Sequence, residues 1–484
     1  MTAMTAGSLI DGFRLEEKLY QGGMAELWRV TRVDISFPII MKLPRLDYGD
    51  DPAAIVGFEL EQMILPTLAG AHVPRFVAAG DFAAQPYIVM EFIAGVSLRA
   101  RLDAAPLPLD EITEVGARVA AALHDLHRQD VIHLDVKPSS IIFRPSGEAV
   151  LIDFGLAHHN RLPDLLAEEF RLPMGTGPYI SPEQIRGIRN DVRSDIFALG
   201  VTLYYLATGE RPFGNPSTVR ALRRRLYRDP VPPRALRAGF PPWLQEIILH
   251  CLEVAPAARY SSAGQIALDL QYPAQVALTA HAARTTSDGL FTRAGRWWRA
   301  LGAQPAVNLP VAEHLSSVPI VMVAVDVTPG TELLAQALCA AAQHMLKNFP
   351  GARLACVTVL KTARIAQESN LDEHGRNVHI QRLIELRHWA QPLGDAAGRL
   401  TFHVLEAPDP ATALIEYARG NQVDQIVIGA RSSSAWRRYL GSVSSQVVAE
   451  APCTVTVVRT SRDTVGEANS EATAIDLSSA TSGR

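Results

Sequence analysis

Val131-Ile-His-Leu-Asp-Val-Lys-Pro-Ser-Ser-Ile-Ile-Phe143 is followed a short way downstream by Leu151-Ile-Asp-Phe-Gly155. In both, a brief apolar run leads into an aspartate, so the pattern predicts Asp135 and Asp153 at strand ends. One carboxylate that orients a hydroxyl and a second that holds a metal ion is the pairing phosphoryl transfer requires.

Working outward, Leu19-Tyr-Gln-Gly-Gly-Met-Ala-Glu-Leu27 is a glycine-rich turn, and Ile39-Ile-Met-Lys-Leu43 is an apolar strand carrying one lysine. Asp51-Pro52 reads as a helix N-cap with proline at the first helical position, and the run that follows carries Glu61 before Pro66 ends it. Downstream come Gly175-Thr-Gly-Pro-Tyr-Ile-Ser-Pro-Glu183, Ser194-Asp-Ile-Phe-Ala-Leu-Gly200 and Arg259. A lone motif of this kind is weak evidence, but the whole set in this order is strong.

Residues 8–273 therefore resemble the Ser/Thr protein kinases. The resemblance implies an α+β two-lobed kinase fold and places Gly22, Gly23, Lys42, Glu61 and Met90 around ATP. Lys42 would reach the phosphates with Glu61 as its ion-pair partner. Asp153 would hold Mg²⁺ or Mn²⁺, Asp135 would orient the acceptor hydroxyl and take its proton, and Lys137 would neutralise the moving phosphoryl group. Thr176 and Glu183 would belong to the activation segment, with Arg259 paired to Glu183. Lys137 together with Thr176 resembles Ser/Thr rather than Tyr kinases, which implies a non-specific Ser/Thr kinase acting on protein substrates and on itself. The pattern departs from the family at Leu134, where an arginine is usual, and at Ser140, where an asparagine holds a second metal ion. Tyr20 and Ala25 occupy two glycine positions of the phosphate loop. These losses leave open a pseudokinase scaffold that senses nucleotide without transferring phosphate. Between 156 and 175 there is no Ser, Thr or Tyr. With Leu134, that absence predicts a segment whose order does not depend on phosphorylation.

Composition agrees with a protein free in the cytoplasm. The formal charge is −4 with both signs interspersed, which gives no footprint for nucleic acid. No apolar run approaches the roughly 18 residues of a membrane span, and the N-terminus lacks the pattern of a secretory signal. Cys251, Cys339, Cys356 and Cys453 are scattered without ligand spacing and read as buried free thiols. His158-His159 reads as a solvated pair, and the Arg223-Arg-Arg225 run as a solvated helix face.

After the kinase-like segment the periodicity fades. Residues 274–317 read as a linker, with Trp297 and Trp298 as candidate docking side chains, and residues 460–484 as a disordered tail. Between them, continuous apolar strands such as Pro319-Ile-Val-Met-Val-Ala-Val-Asp326 alternate with helical spacing. Such alternation predicts a parallel sheet covered on both faces, with ligands at the carboxyl ends of its strands. Gly429-Ala-Arg-Ser-Ser-Ser-Ala-Trp-Arg-Arg-Tyr-Leu-Gly-Ser442 ends where a helix begins, a geometry suited to anions. Residues 318–459 resemble the universal stress proteins, an α/β parallel-sheet family. Its ATP-binding members imply a second nucleotide site at Asp326, Gly429, Gly441 and Ser442, although Ser432 replaces a glycine and the spacer is one residue short. Nucleotide binding, regulation of the kinase, and a homodimer through this domain are the roles that resemblance suggests.

Overall fold

The computed structural model describes residues 4–23, 25–45, 52–82, 85–170, 172–286, 319–349, 351–362, 377–394, 399–430 and 441–459. They fall into two units divided near residue 318. The first unit opens with a six-stranded antiparallel sheet in the order Leu9–Ile10, Phe13–Gln21, Ala25–Thr31, Ile39–Pro44, Tyr87–Glu91, Phe76–Gly80. Alternation at period two turns Phe13, Leu15, Trp28, Val30, Ile39, Met41 and Leu43 into one core. Lys42, lying between Met41 and Leu43, consequently projects from the opposite face. The helix Pro52–Ile64 buries Ile55, Val56, Phe58, Leu60 and Ile64, and Glu61 with them. Proline begins this helix as expected, while Asp51 lies outside the described residues.

Four longer helices, Leu109–His127, Arg193–Thr208, Pro242–Cys251 and Ala263–Gln271, build the second lobe of this unit. The first buries Ile112, Val115, Val119, Leu123 and Leu126, a stripe at helical spacing, and carries Asp110 and Glu111 in its first turn. Arg193–Thr208 is apolar nearly all round and almost wholly buried, and it stops at Gly209, whose φ of 75° suits a left-handed cap. The sequence Pro138 to Leu151 supplies the short strands Ile141–Phe143 and Ala149–Leu151, and Val131–Ile132 pairs antiparallel with His158–His159.

The stretch read as a linker does not begin at 274 as free chain. Its first part carries the short helix Ala280–Ala283, which packs on Pro242–Cys251. Ala282 is buried there, and two polar side chains of that helix take up the strap's backbone groups: the Gln245 amide donates to the His281 and Arg284 carbonyls, and the Glu246 carboxylate accepts the Thr279 N–H. The rest of the linker, with Trp297 and Trp298, lies outside the described residues, as does the tail from 460.

The second unit is a five-stranded parallel sheet ordered Leu400–Ala407, Arg353–Lys361, Ile320–Ala324, Gln425–Gly429, Thr454–Val458. Met322 and Ala324 enter the core on one face, while Val321 and Val323 enter the core on the other. This two-sided burial is why the strands are continuously apolar. The helices Glu332–Asn348, Val378–Ala390, Pro410–Gly420 and Ser442–Glu450 supply the covering layers. Chain order reverses between Ile320–Ala324 and Gln425–Gly429, so Asp326 and Gly429 come to the same rim. Among the described residues no helix is long and apolar enough to cross a membrane. Cys251, Cys339 and Cys356 are buried free thiols, and Cys453 is half-buried.

Candidate active site

Lys42 Nζ donates to Glu61 Oε2 at 2.6 Å and to Asp153 Oδ1 at 3.0 Å. The strand Ile39–Pro44 presents the lysine, the helix Pro52–Ile64 the glutamate, and the turn after Ala149–Leu151 the aspartate. Glu61 is almost completely buried, whereas half of the Asp153 side chain faces the cleft. Burial alone would lower the Lys42 pKa, but Asp153 and Glu61 outweigh it and raise the value above the ordinary one. In return, the Lys42 charge holds the Asp153 carboxylate down to about 2. Asp153 has φ of 70°, a left-handed backbone that aims its carboxylate into the cleft. Close packing reinforces the turn: a Cβ on Gly57 of the glutamate helix would stand 2.7 Å from the Gly155 carbonyl.

A second cluster faces the first. Asp135 Oδ1 accepts the Thr176 N–H at 2.9 Å, Lys137 Nζ donates to Asp135 Oδ2, and the same ammonium donates to Thr176 Oγ1 at 3.1 Å. The loop that carries Asp135 is suspended from one buried carboxylate. Asp195 accepts the N–H groups of His133 and Leu134, each at 2.8 Å, and contacts His127 Nε2 at 2.9 Å. Leu134, also at positive φ, is buried, and its carbonyl accepts from Gln184 Nε2 at 2.8 Å. Ser140 is buried, and its hydroxyl donates to the Asp135 carbonyl at 3.2 Å. Further along, Arg259 meets Glu183 in a buried bidentate pair at 2.6 and 2.8 Å. Met90 is buried on Tyr87–Glu91, opposite Ile40 of the lysine strand. Gly22 and Gly23 form the hairpin turn between Phe13–Gln21 and Ala25–Thr31, where the Tyr20 ring, largely exposed, lies against the Gly22 backbone.

Two expectations are corrected. His158 and His159 are buried, because the strand they form pairs with Val131–Ile132 inside the lobe. His158 Nδ1 sits 3.1 Å from Asp164 Oδ2, which also accepts from Arg189 Nε at 2.8 Å. The opposing pulls on Asp164 are burial, which raises its pKa, and the Arg189 and His158 contacts, which win and hold it well below the carboxylate range. Arg225 is also buried rather than solvated, with its guanidinium on backbone carbonyls. Neither Asp164 nor Arg189 stood out in the sequence. Asp164 caps the helix Leu165–Glu169 by accepting the Ala167 N–H, and an aspartate ahead of an apolar pair is the one signal that pointed to it.

At the rim of the parallel sheet, Asp326 Oδ1 accepts the N–H of Thr328 at 3.0 Å and its hydroxyl at 2.5 Å. Gly429 packs beneath Leu334, where a Cβ would stand 2.7 Å from that side chain. Gly441 is the N-cap of the helix that Ser442 opens. Residues 431–440, including Ser432, lie outside the described residues.

The protein kinase domain family model matches residues 13–271, more than half of the chain, and the chain belongs to that family. The universal stress protein family model matches residues 318–459. Over 274 residues the chain is 32% identical to the serine/threonine-protein kinase PknB of Mycobacterium tuberculosis, a match covering 55% of this chain and 43% of that protein. A probable serine/threonine-protein kinase of Clostridium acetobutylicum is 27% identical over 259 residues, 53% of this chain and 39% of that protein. The match thus spans less than half the length of these curated relatives. The crystal structure of the Mycobacterium tuberculosis PknI kinase domain aligns over 56% of this chain and 99% of that one, at 22% identity and a TM-score of 0.44.

Proposed function

We propose that this chain transfers the γ-phosphoryl group of ATP to Ser and Thr hydroxyls of proteins, itself included, in the cytoplasm. The observation that carries the reading is that three carboxylates and two lysines meet in one cleft, each already in the pairing its role needs: Lys42 with Glu61 and Asp153, and Lys137 with Asp135. Held by Glu61, Lys42 is poised for the phosphates of the nucleotide bound beneath Gly22 and Gly23 and beside Met90. Asp135 accepts the proton of the acceptor hydroxyl, and Lys137 balances charge on the transferring group. Thr176 holds the orientation of both through its N–H and hydroxyl.

The donor chemistry suits Mg²⁺ or Mn²⁺. Asp153 is a hard, ionised oxygen ligand open to the cleft, and Ser140 supplies a hydroxyl nearby on the same loop as Asp135. Among the described residues no group of three or more His, Cys, Asp or Glu could hold a metal unaided, which fits an ion that arrives with the nucleotide. Such an ion supplies charge neutralisation on the phosphates. The universal stress protein domain is read as the regulatory partner, with a nucleotide site at Asp326, Gly429, Gly441 and Ser442.

Purified protein incubated with γ-labelled ATP and either Mg²⁺ or Mn²⁺ should label itself and an added acceptor protein, and Asp135→Asn should not. Equal labelling by Asp135→Asn would overturn the assignment, and nucleotide binding without any labelling would leave a sensing scaffold.

A further inference from the structure

Arg225 is fully buried, yet among the described residues no carboxylate pairs with it. Its Nη2 donates to the Gly177 carbonyl at 2.8 Å, and its Nη1 donates to the Pro178 carbonyl at 3.3 Å and to the Ile180 carbonyl. Burial lowers its pKa to about 10, so it keeps its charge at neutral pH. Removing a cation from water is costly, and the offsets here are three carbonyl dipoles and the ring of Phe213, 5.4 Å away. Phe213 stacks on Phe197 at 5.6 Å, and Phe197 in turn lies 4.9 Å from the guanidinium of Arg259 that holds Glu183. Two buried guanidiniums therefore grip residues 177–183 from two ends, with a pair of stacked rings between them.

That strip begins at the catalytic carboxylate, since the Thr176 N–H is bonded to Asp135. A hydroxyl brought to Asp135 therefore arrives beside the first residues of this strip. We infer that Arg225 is a positioning residue for the protein acceptor: by fixing the carbonyls of residues 177, 178 and 180 it shapes the shelf under the target Ser or Thr. The inference rests on the kinase reading above. The shelf has no slack behind it, because a Cβ on Gly177 would stand 2.5 Å from the Pro216 carbonyl. Arginine suits the task because its planar fork serves several diverging carbonyls at once, which the point charge of a lysine cannot.

The test uses full-length protein with labelled ATP and myelin basic protein as acceptor. Arg225→Met should raise the KM for the acceptor about tenfold and leave the KM for ATP unchanged. Arg225→Lys should lie between the two, since an ammonium can still meet one carbonyl, and it carries the test if the methionine variant does not fold. An unchanged acceptor KM in a folded variant overturns the proposal. So does a parallel rise of both KM values, which would mark a general structural role. Hydrogen exchange at the amides of Gly177, Tyr179 and Ile180 separates the proposal from the kinase reading. Faster exchange in the variants supports the grip even if the wild type transfers no phosphate, and unchanged exchange overturns it.

Discussion

At the scale of single residues, the site is legible where chemistry needs one residue type at one place. Lys42, Asp135 and Asp153 announced themselves because each is a lone charge beside an apolar run, and they converge in the structure. Positioning of phosphate and its counter-charge supplies nearly all the catalysis in this reaction class. Lys42→Ala and Asp153→Ala should therefore each lower label incorporation by at least about a hundredfold. Survival of labelling in both would mean another enzyme or another site. Ser140 makes a finer test. Its hydroxyl is buried and already donates to the Asp135 carbonyl, so it offers a metal ion less than an asparagine carbonyl would. Activity should then need a high divalent concentration, and Ser140→Asn should shift a Mg²⁺ titration to lower concentration. An unshifted titration would show that this position does not serve the metal. Arg225 was illegible for the opposite reason: nothing in a run of arginines tells which one turns inward.

At the scale of elements, strands and helices were read well because apolar periodicity is local, as the near-coincident bounds of Gln425–Gly429 and Thr454–Val458 illustrate. The internal fastening of the activation segment was not, because its partners come from separate turns. Asp164 meets His158 from six residues earlier and Arg189 from twenty-five later, and Arg189 also donates to the Leu156 carbonyl at 3.0 Å. The Asp164 carboxylate thus fastens the segment with no added phosphate, the charge that orders such loops in phosphorylation-switched proteins. Leu134, buried beside the catalytic loop, offers no charge that an added phosphate could meet. Phosphatase-treated protein should accordingly be as active as untreated protein. Asp164→Asn should leave Arg189 buried without a counter-charge, costing about 3 kcal/mol and most of the activity. A variant with unchanged melting temperature and turnover would show that the segment is held by something else.

At the scale of the whole molecule, the parallel-sheet unit and the strap that leaves the kinase unit raise separate questions of control. If the rim of the sheet binds adenine nucleotide, residues 318–459 alone should show binding heat in calorimetry, and Gly441→Val should remove it by blocking backbone approach. The variant is informative because, among the described residues, a Cβ at Gly441 meets only Ser444 Oγ, at an ordinary 3.6 Å. The absence of any binding heat with the unmodified domain would leave it an interaction module. The strap makes the other prediction, on pH. His281 Nδ1 lies 3.2 Å from Glu246 and its Nε2 lies 2.8 Å from Glu253. A neutral imidazole can donate from only one nitrogen, so both contacts are hydrogen bonds only when the ring is protonated. The bond to Glu253, against the effect of burial, raises the His281 pKa above its ordinary 6.5. His250, 6.4 Å away, is pushed down by burial, and the nearby Arg284 is matched by Asp229. Burial would raise the Glu246 pKa, but the Thr279 N–H and hydroxyl and the His281 contact bring it below the usual carboxylate value. The signs fix a window. The contribution of His281 is complete below pH 6.5 and is lost as pH climbs through its raised value; that of Glu246 is complete above the ordinary carboxylate range and is lost as pH falls through its lowered one. The Ala282 amide, which donates to Glu246 Oε2 at 3.0 Å, reports the closed strap directly. Its hydrogen-exchange protection, corrected for intrinsic rate, should be greatest in mildly acidic solution and fall on the alkaline side. In His281→Gln the alkaline fall should disappear, together with about 2 °C of melting temperature at pH 6 that is absent at pH 9. Identical profiles for wild type and variant would show that the strap is held by its backbone hydrogen bonds alone.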